Sequence, residues 1–394
     1  NMGRFTGHLF LMVAFMIVGA IPAVSFSQAK GVWPPIEWED VEDYSGFDPP
    51  YDMVQEAAGA VGSIFDPEYH NGKHFYNGAG SGSIICDSDP DDGIYYYLTN
   101  DHVVAWWENV LGGSLDGLPV VFNYQIEGGI CPPLNQVLPS EPIYCEIVEV
   151  LERANEAPDE HVLDYAILKI SNCTGDEEFL SCFQPTSAVI PDDSDIFVIH
   201  HPDRHGTTLD YECESNPTWR RNLPKKVSLG VFRHYGIEDS HDTYRYFDMK
   251  YNEADTWGGS SGSPLIRKYG DNTRTVGLHT GSLCETLECD EDEFNHGIPI
   301  WQLCKASPIL RSLAIASDYD SDGIDNCYDN CVFISNASQL DCDGDGIGDV
   351  CDDDLCVNFY NEGVVDHILT SNSLGVMEGT PLKIEVNYRT FGRS

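Results

Sequence analysis

Basic residues are scarce in this 394-residue chain. It holds 21 lysines and arginines against 65 aspartates and glutamates, which gives a formal net charge of -44 at pH 7. A chain this acidic repels phosphate backbones and anionic lipid surfaces, so nucleic-acid binding is excluded as a primary function. The hydrophobic content of 42% is close to the globular average, so most of the chain can bury a core.

Long apolar runs are also few. The clearest one covers residues 9–24, follows Arg4 and contains Pro22; at about 16 residues it is shorter than the roughly 20 that a membrane-spanning helix needs. This pattern predicts a signal peptide over residues 1–29, with an uncleaved membrane anchor as the alternative. The Pro- and acid-rich residues 30–60 are expected to form a linker or a pro-segment.

Cysteine, in contrast, is plentiful. Fourteen cysteines suit an oxidising compartment, so we expect a secreted, extracellular protein with disulfide bonds and no membrane contact after signal removal. Nine of them fall in residues 86–304 and five in residues 327–356. Because both counts are odd, either one bridge crosses the boundary or two thiols stay free.

A sustained helical period is missing from about residue 58 to 312. Short β-type runs such as Tyr95–Thr99, Leu163–Ile170 and Thr275–His279 are separated by Gly, Pro, Asn and Asp. Many short strands with turn signals between them predict an all-β sandwich or barrel.

Three short patterns follow one another within this region. An apolar run ends just before His102, Asp164 opens another apolar run, and Ser261 lies at the centre of the glycine-rich stretch 258–265. A serine hydroxyl becomes a nucleophile near pH 7 when a neutral imidazole takes its proton. A buried carboxylate fixes the tautomer of that imidazole and stabilises the imidazolium that forms. The patterns therefore predict a catalytic triad of His102, Asp164 and Ser261.

The glycines beside the serine have their own role in this hypothesis. Backbone N–H groups, here those of Gly259 and Ser261, must point at the developing oxyanion, and one such donor is worth about 3–4 kcal/mol. The order His, Asp, Ser also separates two classes of hydrolase. A nucleophile-elbow hydrolase would run Ser, acid, His and would want glycine where Ser263 stands.

With these residues the chain resembles the chymotrypsin-like serine endopeptidases, most closely the bacterial lysyl endopeptidases and secondly the glutamyl endopeptidases. The resemblance covers about residues 75–303 and rests on five strings: Ser81-Gly82-Ser83-Ile84-Ile85, Val120-Val121-Phe122-Asn123-Tyr124-Gln125 with Cys131 and Pro132, Ile199-His200-His201-Pro202, Gly259-Ser260-Ser261-Gly262-Ser263-Pro264 and Gly277-Leu278-His279. It implies a double β-barrel, a trypsin-like serine protease domain at 61–316, with the active site in the cleft between the barrels. No cofactor is expected for catalysis.

The chain departs from that family in one way that bears on structure. It lacks a cysteine directly after His102 and one near Ala79, so one disulfide of the family is absent. Adjacent His200 and His201 are interpreted as structural rather than as metal ligands, because neighbouring residues on a strand point to opposite faces.

Three residues are candidates for binding the substrate side chain. Thr256 and His279 stand where glutamyl endopeptidases hold an acidic side chain, although the lysyl relatives also carry a histidine on this strand. The stretch 285–293 contains six acidic residues, and Asp292 before Phe294 matches the aspartate that pairs with the substrate lysine in lysyl endopeptidases. Such a field attracts a cation, so we expect cleavage after Lys or Arg, with Glu as the alternative.

Aspartate repeats at alternate positions beyond residue 317, which indicates a domain boundary. Two loops of hard oxygen ligands suit Ca²⁺: Asp318, Asp320, Asp322 and Asp325 in the first, and Asp341, Asp343, Asp345 and Asp349 in the second. Neither loop has the Glu of an EF-hand at its twelfth position, where Asp329 and Asp352 stand.

Cysteines that close each loop make residues 317–356 resemble thrombospondin type 3 repeats, which implies structural calcium. Residues 357–394 are expected to begin an unassigned C-terminal module. The acidic repeats also suggest contact with an extracellular matrix or a cell surface. A rival to the protease hypothesis is therefore a catalytically silent, calcium-binding adhesion protein on a protease fold.

Overall fold

The computed structural model describes the following residues: 39–70, 73–87, 93–111, 113–123, 143–154, 163–175, 180–202, 225–237, 247–252, 256, 258–282, 295–341, 346–351, 360–361 and 364–365. The predicted signal peptide lies outside them. Within these residues, no helix combines the length and the apolar character needed to cross a membrane. The chain divides into two compact units, with the division between Ser317 and Asp318.

The elements of the chain are mostly strands. In order they are β1 (Glu39–Asp40), α1 (Tyr51–Gly59), β2 (Val61–His70), β3 (Lys73–Ile85), β4 (Tyr95–Thr99), α2 (Asp101–Leu111), β5 (Pro119–Phe122), β6 (Ile143–Arg153), β7 (Ala166–Thr174), β8 (Gln184–Pro185), β9 (Asp195–His200), β10 (Lys226–Ile237), β11 (Phe247–Asn252), β12 (Pro264–Tyr269), β13 (Asn272–Ser282), β14 (Asn295–Pro299), α3 (Ile300–Ala306), α4 (Pro308–Leu313), β15 (Tyr360–Asn361) and β16 (Val364–Val365).

The first barrel is closed by six antiparallel strands in the order β2-β3-β4-β7-β6-β5. In β6, buried and less buried side chains alternate over residues 143–147, because successive side chains of a strand point to opposite faces. Tyr97 and Phe122 meet edge-to-face in this core, with ring centroids 6.0 Å apart. The buried Tyr97 hydroxyl donates a hydrogen bond to the Gly62 carbonyl at 2.9 Å, so its polar end is satisfied.

The second barrel is a ring of the strands β9, β10, β11, β14, β13 and β12. It closes because β9 pairs with β12 on one side and with β10 on the other. Its core contains Phe232, Met249, Tyr251 and Leu265. Two closed antiparallel barrels confirm the predicted all-β, chymotrypsin-like double β-barrel.

The segment 39–60 is folded onto the second barrel. Strand β1 pairs with the start of β10, and helix α1 buries Val54 and Ala57 in a cluster with Phe197 and Val227. These residues form the later part of the predicted linker or pro-segment, and they share a core with the barrel.

Three disulfides have both cysteines among the described residues: Cys86–Cys182, Cys145–Cys173 and Cys331–Cys351. Cys304 and Cys327 are disulfide-bonded as well. None of the cysteines in the described ranges is a free thiol. The last of these bridges joins Cys331, just after the first aspartate-rich loop, to Cys351 at the end of the second. The unit that contains these loops buries Cys327, Cys331 and Val332.

Candidate active site

His102 and Asp164 lie beside two neighbouring strands of the first barrel, β4 and β7. Strand β4 ends at Thr99, and His102 lies in the first turn of α2; Asp164 stands two residues before β7, which pairs with β4. The Asp164 carboxylate binds His102 with both oxygens, to Nδ1 at 2.6 Å and to the backbone N–H at 2.9 Å. The Asn100 side chain donates to the Asp164 carbonyl at 2.7 Å, which fixes the backbone of the acid as well.

The pair leaves the imidazole usable as a base. Because Nδ1 faces the carboxylate, Nε2 is available for a second partner, and the His102 side chain is 51% exposed. Burial lowers the pKa of His102, but the hydrogen bond and charge of Asp164 and the charge of Asp101 outweigh it, so the pKa is raised above 6.5. This is the behaviour expected of an imidazole oriented by a carboxylate.

Arg153, the last residue of β6, binds two acidic residues of helix α2 with its guanidinium group. Arg153 donates from Nε to Asp101 at 2.5 Å and from Nη1 to Glu108 at 2.8 Å. The two acids lie seven residues apart, so the same side chain contacts the first turn of the helix and a later one. Nothing local in the sequence marks Arg153 for this role.

The serine loop, residues 258–263, comes from the second barrel and packs on the end of β4. A Cβ at Gly262 would lie 2.1 Å from the Ser81 carbonyl oxygen and 2.4 Å from Thr99 Oγ1, so only glycine fits here. Gly262 also has φ of +86°, a conformation that glycine adopts without strain. This close approach brings Ser261 to the part of the chain that leads into His102.

The backbone of the loop is held by hydrogen bonds on both sides of the serine. The Gly262 N–H donates to the His279 carbonyl at 2.9 Å, and the Ser81 N–H donates to the Ser261 carbonyl at 2.7 Å. The Ser261 hydroxyl itself donates to the Thr280 carbonyl at 3.4 Å. The N–H groups of Gly259 and Ser261, the predicted oxyanion donors, make no hydrogen bond within the described part of the chain.

His279 lies directly behind this loop. Its ring is 2% exposed and its Nδ1 is hydrogen-bonded to the Tyr251 hydroxyl. Burial, followed by the charge of His102, lowers the pKa of His279 to about 3, so it is neutral at pH 7. Thr256 hydrogen-bonds to the Asn295 side chain at 2.6 Å. Asp292, the third predicted binding residue, lies outside the described residues.

The first aspartate loop brings three of its four predicted ligands together. One carboxylate oxygen each from Asp318, Asp320 and Asp322 lies within 4.8 Å of the others. Asp325 is not part of this group, and it accepts the Cys327 N–H at 2.9 Å. In the second loop Asp343 and Asp345 lie outside the described residues.

Comparison of the chain with protein-family models gives no match, and comparison with curated proteins gives none either. Among solved structures the chain is similar to an HtrA-type protease, AlgW with a decapeptide, at 17% identity and a TM-score of 0.39, covering 66% of each chain. It is also similar to an inactive mutant form of Rv3671c from M. tuberculosis H37Rv, at 14% identity and a TM-score of 0.37, covering 67% of this chain and 93% of that one.

Proposed function

We propose that the protein is a secreted serine endopeptidase. The observation that carries this proposal is the His102–Asp164 pair, bound through both carboxylate oxygens, beside a glycine loop that presents Ser261 with two uncommitted backbone N–H groups. The disulfides fit an oxidising, extracellular compartment.

In the proposed mechanism, Ser261 Oγ attacks the scissile carbonyl while His102 Nε2 takes its proton. Asp164 holds the ring and stabilises the imidazolium. The N–H groups of Gly259 and Ser261 donate to the oxyanion of the tetrahedral intermediate. His102 then gives the proton to the leaving amine, and an acyl-enzyme remains on Ser261. Water, activated by His102, hydrolyses the ester and returns the enzyme to its starting state.

The proposal is tested by covalent labelling of the purified, folded protein with a fluorophosphonate probe. We expect wild type to be labelled and Ser261→Ala and His102→Ala not to be. Ser312→Ala, which changes an exposed serine far along the chain, is the matched control and is expected to label fully. If folded wild type fails to label, the alternative of a catalytically silent, calcium-binding adhesion protein is favoured.

For the substrate we propose a lysine or arginine side chain before the scissile bond. The acidic stretch 285–293 supports this, because it concentrates six negative charges near the end of β13 in sequence. The neutral state of His279 supports it further, since a neutral imidazole offers an acidic side chain no positive charge.

Paired chromogenic peptides that differ only in Lys, Arg or Glu at this position test the choice. We expect kcat/KM to be highest for Lys or Arg, and Asp292→Asn to lower it more than Asp290→Asn in the same stretch. Faster turnover of the Glu peptide would favour the alternative, in which Thr256 and His279 bind an acidic side chain.

A second function, binding of structural Ca²⁺, is favoured by unpartnered carboxylate oxygens in the first aspartate loop. Asp320 Oδ2 and Asp329 Oδ2 are buried and have no hydrogen-bond partner among the described residues, and Asp329 is only 1% exposed. Burial, opposed by the hydrogen bond from the Asp322 N–H and reinforced by the charges of Asp322, Asp329 and Asp318, raises the pKa of Asp320. A set of hard oxygen ligands of this kind suits Ca²⁺, and Asp329 therefore joins Asp318, Asp320 and Asp322 as a proposed ligand.

At its described positions Asp341 and Gly346, the second loop matches Asp318 and Gly323 of the first. Gly323 and Gly346 both have φ of +96°, and each donates its N–H to the aspartate five residues earlier, at 2.9 Å to Asp318 and 3.0 Å to Asp341. We therefore propose a second Ca²⁺ site with Asp341, Asp343, Asp345 and Asp349. Calorimetric titration with Ca²⁺ should show Asp320→Asn and Asp341→Asn each losing a different site. Unchanged binding in both variants would contradict the proposal.

A further inference from the structure

His200 lies under the serine loop, at the end of β9. Its side chain is completely buried, with Nδ1 2.7 Å from Ser260 Oγ and Nε2 3.0 Å from Ser228 Oγ on β10. Ser260 is the residue between the two proposed oxyanion donors, Gly259 and Ser261. One imidazole therefore connects the centre of the loop with the wall of the second barrel.

The imidazole is suited to this role because it is neutral. Burial, and then the charges of His279, His201 and Lys226, lower its pKa well below 6.5. A neutral imidazole has one donor nitrogen and one acceptor nitrogen, so it can bridge two hydroxyls, accepting from one and donating to the other. Hydrogen bonds in such a buried site are strong, and an unsatisfied group there is costly.

The next residue supports the same loop through its backbone. The His201 N–H donates to Ser81 Oγ at 3.0 Å, and the Ser81 hydroxyl in turn donates to the Gly259 carbonyl at 2.8 Å. The Ser81 N–H binds the Ser261 carbonyl at 2.7 Å. Three successive residues of the loop, 259, 260 and 261, are thus each held by a group from β3 or from the end of β9.

We propose that His200 is a positioning residue that holds Ser260, and through it the Gly259 and Ser261 N–H groups, in the arrangement that binds the oxyanion before substrate arrives. His200 is 0% exposed and so does not touch substrate. The inference rests on the proposed endopeptidase function and deepens it. Preorganised donors matter because they need no rearrangement as charge develops in the transition state.

The test compares Ser260→Ala, His200→Ala, His200→Asn and Ser228→Ala by kcat, KM and inhibition by a peptide boronic acid, whose tetrahedral adduct uses the oxyanion donors. Removing one such donor outright costs about 10²–10³-fold in kcat. Because here the donors are misaligned rather than lost, we expect Ser260→Ala and His200→Ala to lower kcat by about 10–100-fold. KM should stay within about twofold, and boronate affinity should fall in parallel with kcat.

His200→Asn keeps an amide near the position of Nδ1, so it should recover part of the lost kcat. Ser228→Ala removes only the distal hydrogen bond and should have a smaller effect in the same direction. Ser187→Ala, which removes another buried hydroxyl whose bond is to the Ile315 carbonyl, is the matched control. It is expected to lower thermal stability without lowering kcat.

The inference is overturned if folded Ser260→Ala and His200→Ala keep the kcat and boronate affinity of wild type, or if they lose no more than Ser187→Ala. If His200→Ala does not fold, Ser260→Ala and His200→Asn decide on the same readouts. Failure of the proposed function is recognised separately, because wild type itself would then neither label with fluorophosphonate nor turn over any peptide, and the role assigned to His200 would fall with it.

Discussion

Asp164 binds His102 with both of its carboxylate oxygens. This pair determines the pH below which the expected activity should fall. Burial lowers the pKa of His102, whereas the hydrogen bond and charge of Asp164, together with the charge of Asp101, raise it above 6.5. Catalysis needs the neutral imidazole, so the rate should fall as the pH decreases through the raised pKa.

Asp164→Asn should therefore have two effects on catalysis. The maximal kcat should fall by about 10³–10⁴-fold, because the ring loses the group that fixes its tautomer and stabilises the imidazolium. The acidic limb of the kcat/KM profile should move to lower pH. A pH–rate series from pH 4 to 9 measures both, with the exposed Asp116→Asn as control. An unmoved limb in a folded, weakly active variant would contradict the assigned role of Asp164.

Lys225 is a buried cation whose titration should be visible in stability. It is 1% exposed and donates from Nζ to the Ala58 carbonyl at 2.6 Å; burial, opposed by the charge of Glu42, lowers its pKa to about 7 from the ordinary 10.5. Between these two values the unfolded chain holds a proton that the folded chain has released. The free energy of unfolding should therefore rise with pH in this window.

Lys225→Met should abolish this rise. In a Ser261→Ala background, which prevents self-digestion, the difference in unfolding free energy between parent and Met variant should increase from about pH 7 to 10.5. The slope should be at most about 1.4 kcal/mol per pH unit, and flat below pH 7. Denaturant titrations at several pH values provide the measurement. A difference that does not change with pH would show that Lys225 stays charged.

At the scale of residues, local sequence patterns indicate the candidate triad. They do not indicate the residues from distant parts of the chain that hold the serine loop. His102, Asp164 and Ser261 each stand in a recognisable local pattern. Ser81 belongs to one of the matching strings, but that string does not predict that its hydroxyl donates to Gly259, 178 positions further along the chain. No local pattern reveals such a partner, because the contact exists only once both barrels have formed.

At the scale of elements, strands were easier to predict than the short helices. Helix α2 carries His102 and buries Val103, Val104 and Trp107. It has 11 residues, which is too few turns for a helical period to stand out in the sequence. The composition of residues 39–60 indicated a linker or pro-segment, whereas β1 and α1 share a core with the second barrel. The sequence pattern does not show this core, because its few small apolar residues stand among acids and prolines.

The packing of α1 predicts that this segment stabilises the barrels. Val54 is completely buried in the cluster with Phe197 and Val227, so Val54→Ala should lower the free energy of unfolding by about 1–3 kcal/mol. Glu56→Ala, on the exposed face of the same helix, is the control and should change it little. Thermal unfolding followed by near-ultraviolet circular dichroism measures the effect. Equal stability of both variants would mean that α1 does not contribute to the core.

At the scale of the whole molecule, the charge of -44 is unevenly distributed. Twelve aspartates lie in residues 318–354 and six acids in residues 285–293. In the first group the charge is expected to be a ligand set that cations neutralise, and in the second a field that selects cationic substrates.

This distribution leads to a prediction about calcium and the two units of the chain. The described part of residues 318–351 buries few apolar side chains and brings three carboxylates together, so without a cation this unit lacks a source of folding free energy comparable to a barrel core. A chelator should therefore unfold this unit alone. Limited proteolysis with an added protease, in a Ser261→Ala background and with EDTA, should begin within residues 318–351, and excess Ca²⁺ should suppress it. Wild-type turnover of small peptides should survive chelation. Cleavage that starts within residues 61–316, or activity that disappears with the calcium, would show instead that the barrels depend on the ion.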